Sequence, residues 1–164
     1  ELKSGIIDAA VIALPFDIPG IEIEILYDEP FVVIVPLSHH WDEQNTIKAK
    51  DLAHEKVLLL DKTHCFSNQV TEACPGLSKN SEIQLGNSLE YIRSMVASNM
   101  GISVLPKSAT TVKHNNPLVK IISFEDPAPF RRVALAYRKS GVKTEAIKTI
   151  VEAIKSVDFP KLHI

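Results

Sequence analysis

The chain has two cysteines in 164 residues, too few for a disulfide scaffold, and a core of this size does not need one. No Cys-x-x-Cys pair occurs, and His39, His40, His54 and His64 are not at ligand spacing, so no metal site is expected. Gly-x-Ser-x-Gly, the P-loop and Gly-x-Gly-x-x-Gly are all absent, which removes the commonest hydrolase and nucleotide signals and leaves no cofactor to expect. No apolar run approaches the roughly 20 residues that cross a bilayer, and the polar start has nothing like a signal-peptide core, so no membrane partner is expected. Positive charge is also short. Lys and Arg number 18 against 20 Asp and Glu, a net charge of -2. No summed positive field is available to grip DNA.

An initiating Met is missing too. Glu1-Leu2-Lys3-Ser4-Gly5 reads as the last turn of a helix, with Gly5 as terminator, so an upstream portion of a larger protein is expected. What is present is ordinary for a folded protein: 45% apolar and 23% charged positions. The run from Ile6 to Leu14 is nearly all apolar, as in a strand covered on both faces, and predicts a parallel α/β sheet. Ile21 to Leu26 alternates with period two, and Phe31 to Val35 follows the joint Asp28-Glu29-Pro30. Further strands are expected at 57–60, 82–85, 102–105, 119–122 and 133–137. Leu89, Ile92, Val96 and Met100 predict a helix with Asn87 as N-cap, Glu90 completing a capping box, and Gly101 as the stop. Ile147, Ile150, Val151 and Ile154 predict a last helix, with Thr144 as cap. Asp126-Pro127-Ala128-Pro129 is a stiff linker suited to a second crossover. The fold class read from this order is α/β, two Rossmann-like subdomains joined by two crossovers. His39-His40-Trp41 reads as a solvated turn with one anchoring ring.

The first cysteine lies just beyond a strand end, where open α/β sheets collect ligands and chemistry. From about His64 to Ala73 the spacing predicts a short helix, with Thr63 as its cap and Pro75-Gly76 as its stop. Cys65 then falls in the first turn, where free N–H groups and the dipole favour a thiolate. Nine steps along a helix raise the chain by about 13.5 Å and leave the side chains on opposite faces. A disulfide needs Cα atoms within about 7 Å. A bond between Cys65 and Cys74 therefore requires that helix to be dismantled, which is the physics of a redox switch. On the residues alone, two inert thiols, a permanent disulfide and a redox pair all stay open.

Read together, Gly5-Ile6-Ile7-Asp8-Ala9-Ala10-Val11-Ile12, Leu26 to Pro36 with His40 after it, Asp51-Leu52, Ser88-Leu89-Glu90, Met95-Val96-Ala97 and Gly101 to Pro106 resemble the effector domain of LysR-type transcriptional regulators. The resemblance spans nearly the whole chain. Within that family, His64-Cys65 after a strand, Gln69 and Cys74 are similar to its hydrogen-peroxide-sensing members. The resemblance implies a periplasmic-binding-protein-like fold, with residues 1–28 and 129–164 in subdomain I and 29–128 in subdomain II. It implies that Cys65 is oxidised by hydrogen peroxide to a sulfenic acid and that Cys74 resolves it to a disulfide, remodelling residues 64–76 and a dimer interface. His64 and Gln69 match pocket positions, and one of Arg131 and Arg132 matches a basic residue near the reactive sulfur.

The implied protein is a cytoplasmic homodimer or homotetramer and not an enzyme. It engages DNA through an N-terminal domain outside this chain and works with RNA polymerase and thiol reductants. Two departures stand out. Phe66-Ser67 replaces a Leu-Arg pair seen in some relatives, and Pro75-Gly76 predicts a mobile resolving end. The rival reading is an effector domain that binds a small organic anion near Asn87-Ser88, with incidental cysteines.

Overall fold

The computed structural model describes residues 1–61, 63–79, 83–111, 116–139 and 144–157. The chain divides into two compact units, Glu1–Glu29 with the segment from Arg131 onward, and Pro30–Phe130. It passes between them twice, once at Glu29/Pro30 and once at Phe130/Arg131.

The first unit opens with a turn in which Gly5, at φ +80°, donates its N–H to the Leu2 carbonyl while Ile6 donates to that of Glu1. These are the two bonds of a Schellman closure, the helix-ending geometry expected from Gly5. Strand β1 (Ala9–Ala13) follows. It pairs antiparallel with β8 (Phe130–Arg138), which lies beside β2 (Ile21–Pro36). The apolar run around β1 predicted a parallel strand covered on both faces; instead β1 pairs antiparallel, with β8 alone among the described residues, and Val11 is 57% exposed. Helix α3 (Thr144–Ser156) supplies the cover of this unit: Ile147 and Val151 pack with Leu26, Val133 and Leu135, and Ile154 joins them. Ile150, assigned to the same stripe from its spacing, faces solvent. Thr144 is the first helical residue, and the position before it lies outside the described residues.

The second unit is built on a mixed sheet. The joint Asp28-Glu29-Pro30 does not interrupt β2, which runs for 16 residues through both units. In the second unit β2 pairs antiparallel with β6 (Ile102–Pro106) on one side and β7 (Val119–Phe124) on the other. Beyond β6 lie β4 (Val57–Leu60) and then β5 (Ile83–Gly86), all three parallel; β3 (Thr46–Ile47) pairs parallel with β7. The expected start of β5 at Glu82 lies outside the described residues. All four residues of β4 are buried, as a strand between two neighbours and under helices requires.

Two helices pack against these strands. Helix α1 (Cys65–Ala73) follows β4, and α2 (Leu89–Ala97) follows β5. Ile92, Met95 and Val96 are the buried face of α2. Its N-cap is Ser88, whose Oγ accepts from the Tyr91 N–H at 3.1 Å, not the expected Asn87. Its stop is Asn99, not Gly101: Asn99 has φ +58° and donates to the Val96 carbonyl, while Met100 donates to that of Met95. That is a second Schellman closure, with Asn in the left-handed position that Gly usually takes. Met100 lies past the helix and is exposed, so Met95 carries the packing assigned to it.

Candidate functional site

Because β4 and β5 are parallel, their carboxyl ends open side by side, and the Asp61 N–H donates to the Gly86 carbonyl at 2.9 Å across that rim. From this rim the chain turns into α1. Asp61 shapes the turn: its Oδ1 accepts from the Thr63 N–H at 2.9 Å and also from the Thr63 hydroxyl. These donors hold the Asp61 carboxyl below the usual carboxylate range. Thr63, expected to cap the helix, is committed backward to Asp61 instead. His64 takes the capping position, with extended backbone (φ −91°, ψ 122°) and no side-chain cap bond. Its Nε2 lies 4.0 Å from Asp61 Oδ2. Asp61 was missed in the sequence, although Asp two residues before Thr is the pattern of an Asx turn.

Cys65 is exposed at the first helical position, the end at which a helix leaves N–H donors and the positive pole of its dipole. Cys74 caps the other end, with its N–H on the Val70 carbonyl at 2.9 Å and its side chain fully buried. Burial pushes the Cys74 thiol up to about 12. Both cysteines are free. The helix between them gives a rise of about 13.5 Å, against the roughly 7 Å a disulfide allows.

What holds α1 down is its apolar face. Phe66 meets the Phe31 ring edge-on, with centroids 5.7 Å apart, and Val70 is fully buried. Ser67 is buried as well and its carbonyl accepts from the Thr71 hydroxyl at 2.9 Å. Phe66 is thus an aromatic anchor and Ser67 a small buried polar residue. Gln69, one turn after Cys65, is 94% buried, its relative exposure being 6%, and its Oε1 has no hydrogen-bond partner among the described residues. Residues four apart share a helix face. Pro75-Gly76 does not loosen the end of the helix: a Cβ on Gly76 would stand 2.7 Å from the Ala49 carbonyl, and Leu77 is buried with its N–H on the Cys74 carbonyl. The expected mobile end is a tightly packed turn.

The two arginines belong to the first unit. Arg131 Nε donates to the buried Glu29 Oε2 at 2.7 Å. Arg132 grips the exposed Asp28 with two bonds, Nε to Oδ1 at 2.7 Å and Nη2 to Oδ2 at 2.9 Å, and this pairing lowers the Asp28 pKa. His64, Cys65, Gln69 and Cys74 are therefore brought onto one helix, and Arg131 and Arg132 onto β8. The carboxylate partners Asp28 and Glu29 had been read only as part of a joint.

Residues 1–158 match the family of the LysR substrate binding domain. The chain belongs to that family. Its α/β fold is the periplasmic-binding-protein-like fold of such domains. It is 30% identical over 165 residues to a probable hydrogen peroxide-inducible genes activator of Mycobacterium leprae, covering 99% of this chain and 53% of the relative. The chain spans about half the length of the curated relatives it matches. Among solved structures, a reduced form of OxyR from N. meningitidis superposes with a TM-score of 0.83 at 42% identity, covering 99% of this chain and 74% of that one. The oxidized form of OxyR superposes at 0.79 with 29% identity, covering 94% and 73%. Within the LysR family, this chain is similar to OxyR regulatory domains. Among its described residues, no helix is long and apolar enough to cross a membrane.

Proposed function

We propose that this chain is the regulatory domain of a hydrogen-peroxide-sensing transcription regulator of the LysR type, and that Cys65 and Cys74 are its redox pair. The observation that carries the reading is the placement of two free thiols at opposite ends of α1, one exposed and one buried. Relatives named for peroxide-inducible activation, and OxyR structures in reduced and oxidized forms, support it.

In this reading the Cys65 thiolate attacks one oxygen of hydrogen peroxide. The O–O bond breaks, Cys65 becomes a sulfenic acid, and the departing hydroxide takes a proton to leave as water. His64 and the Gln69 carbonyl, whose buried oxygen has no donor among the described residues, line the peroxide position. Cys74 cannot respond while buried, because its proton is held tightly. Unwinding of α1 exposes it. Its thiolate then attacks the Cys65 sulfur, forms the disulfide and expels the sulfenic oxygen as hydroxide, which takes a proton to leave as water.

The remodelled 64–76 segment alters how two or four copies associate, and so how DNA-binding domains outside this chain meet a promoter and RNA polymerase. Cytoplasmic thiol reductants reset the pair. Each oxidation consumes the reduced form, so the domain reports peroxide without turning it over as an enzyme does. Mass spectrometry after one equivalent of hydrogen peroxide is the test. A Cys65–Cys74 linkage in the native chain, and a trapped sulfenic acid at Cys65 in Cys74→Ser, are expected. Absence of both, with an unchanged response in Cys65→Ser, overturns the reading.

A further inference from the structure

The segment His39-His40-Trp41, expected to be a solvated turn with one anchoring ring, is a turn in which Trp41 is buried, His39 half-buried and His40 exposed. Two anchors in the core of the second unit fix it. Trp41 is buried in the turn that follows β2, and Leu52 is fully buried in the 3-10 turn Ala49–His54. Glu55 follows that turn directly, its N–H on the Leu52 carbonyl. The fold thereby brings Glu55 to both histidines: His39 Nε2 lies 3.2 Å from Glu55 Oε2, and His40 Nε2 lies 3.1 Å from Oε1. His39 and Glu55 are mostly enclosed, whereas the His40 side chain is 63% exposed. The two imidazole rings are 4.3 Å apart and the Trp41 indole lies against both, at 5.1 and 5.4 Å.

This arrangement has the dimensions of a coordination shell. One ligand atom from each residue falls within a sphere of mutual distances no greater than 4.8 Å. A tetrahedral ion with nitrogen and oxygen bonds of about 2.0–2.1 Å spaces its ligands by about 3.3 Å, close to both observed N···O separations. Two imidazoles and one carboxylate, with a solvent-facing side for water, is also the donor set of zinc sites that keep an open position. The Asp42 carboxylate adds negative potential beside His39.

We propose that His39, His40 and Glu55 bind a divalent transition cation of the zinc class, with water completing the shell through the open side of His40. The cation ties the turn after β2 to the residue that leads into β4, the strand whose far end delivers Cys65. In the metal-free cluster the Trp41 N–H donates to His39 Nδ1 at 3.2 Å, which leaves the ring proton on Nε2, facing Glu55. Metal on Nε2 sends that proton to Nδ1 and releases the Trp41 backbone N–H. Uptake is therefore coupled to a shift at Trp41, the single tryptophan of the chain.

The test is titration of the reduced chain carrying Cys65→Ser, which removes the exposed thiol as a competing ligand. Zinc chloride at neutral pH is expected to bind at one equivalent, to change Trp41 emission, and to raise the melting temperature, whereas magnesium and calcium do neither. Adding His40→Ala, an exposed position whose loss leaves the fold intact by circular dichroism, is expected to weaken binding by at least about tenfold. Glu55→Gln should do the same. No saturable zinc uptake, or uptake unchanged by His40→Ala, overturns the site. Neither result depends on the peroxide reading.

Discussion

Cys74 closes the helix that Cys65 opens: the Cys74 N–H sits on the Val70 carbonyl and its thiol is buried in the core, while the Cys65 thiol is open to solvent. The two sulfurs therefore differ in access before any oxidation occurs. A disulfide reagent added to the reduced native chain at neutral pH should modify Cys65 at once. Cys74 waits for α1 to open. An opening that costs about 3 kcal/mol slows its reaction by at least about 100-fold. In guanidinium chloride both thiols should react at comparable rates. Equal rates under native conditions would show that the Cys74 end is not closed.

Much of this arrangement is legible in the sequence. The buried run Val57 to Leu60 places Cys65 past a strand end, and Pro75-Gly76 marks where α1 stops, so the helix between the cysteines follows from local signals. Capping was less legible, because Thr63 and Asn87 are good capping residues and the choice is made by backbone geometry. Asp61 claims Thr63 for itself, and the extended conformation falls on Ser88 rather than Asn87. Strand β1 misled for another reason. An apolar run carries no record of how many neighbours a strand has, and β1 has β8 on one side only among the described residues. Glu55 was out of reach altogether, since only the packing of Leu52 and Trp41 brings it to His39.

Gly76 offers a way to loosen the resolving end without touching either sulfur. A methyl group there meets the carbonyl oxygens of Ala49 at 2.7 Å and Lys50 at 3.1 Å, both backbone atoms that cannot rotate away. Gly76→Ala should push the turn Pro75–Lys79 off the turn Ala49–His54. The expected cost is about 1–3 kcal/mol in urea unfolding, with faster modification of Cys74 and no change at Cys65. Destabilisation without faster Cys74 modification would show that the contact supports the unit but does not guard the thiol.

Arg131 and Arg132 make a natural comparison because adjacent residues pair with adjacent carboxylates in different surroundings. Glu29 is only 2% exposed, so Arg131→Ala removes the guanidinium from a buried charge and should cost about 3–5 kcal/mol. Arg132 and Asp28 are both solvent-exposed, and Arg132→Ala should leave the unfolding midpoint nearly unchanged. Adding Glu29→Gln to Arg131→Ala should recover part of the loss by removing the buried charge that Arg131 opposed. Chemical denaturation of the three variants checks the order, and equal losses for the two arginines would contradict it.

The raised Cys74 pKa fixes how stability depends on alkaline pH. Burial favours the neutral thiol, which keeps its proton in the folded chain to about pH 12, against 9.0 for an ordinary cysteine. Below pH 9 both folded and unfolded chains hold the proton, so this contribution is fully present. Between about 9 and 12 the unfolded thiol ionises while the folded one does not, and stability falls as pH rises. Three pKa units correspond to about 4 kcal/mol across the whole window. Tyr27, whose pKa is also raised by burial, pulls in the same direction at high pH. The measurement is therefore a difference: denaturant unfolding of the native chain and of Cys74→Ala from pH 8 to 11. The native chain should lose stability more steeply, because only it has the buried thiol to ionise on unfolding, and parallel curves would remove Cys74 as the cause.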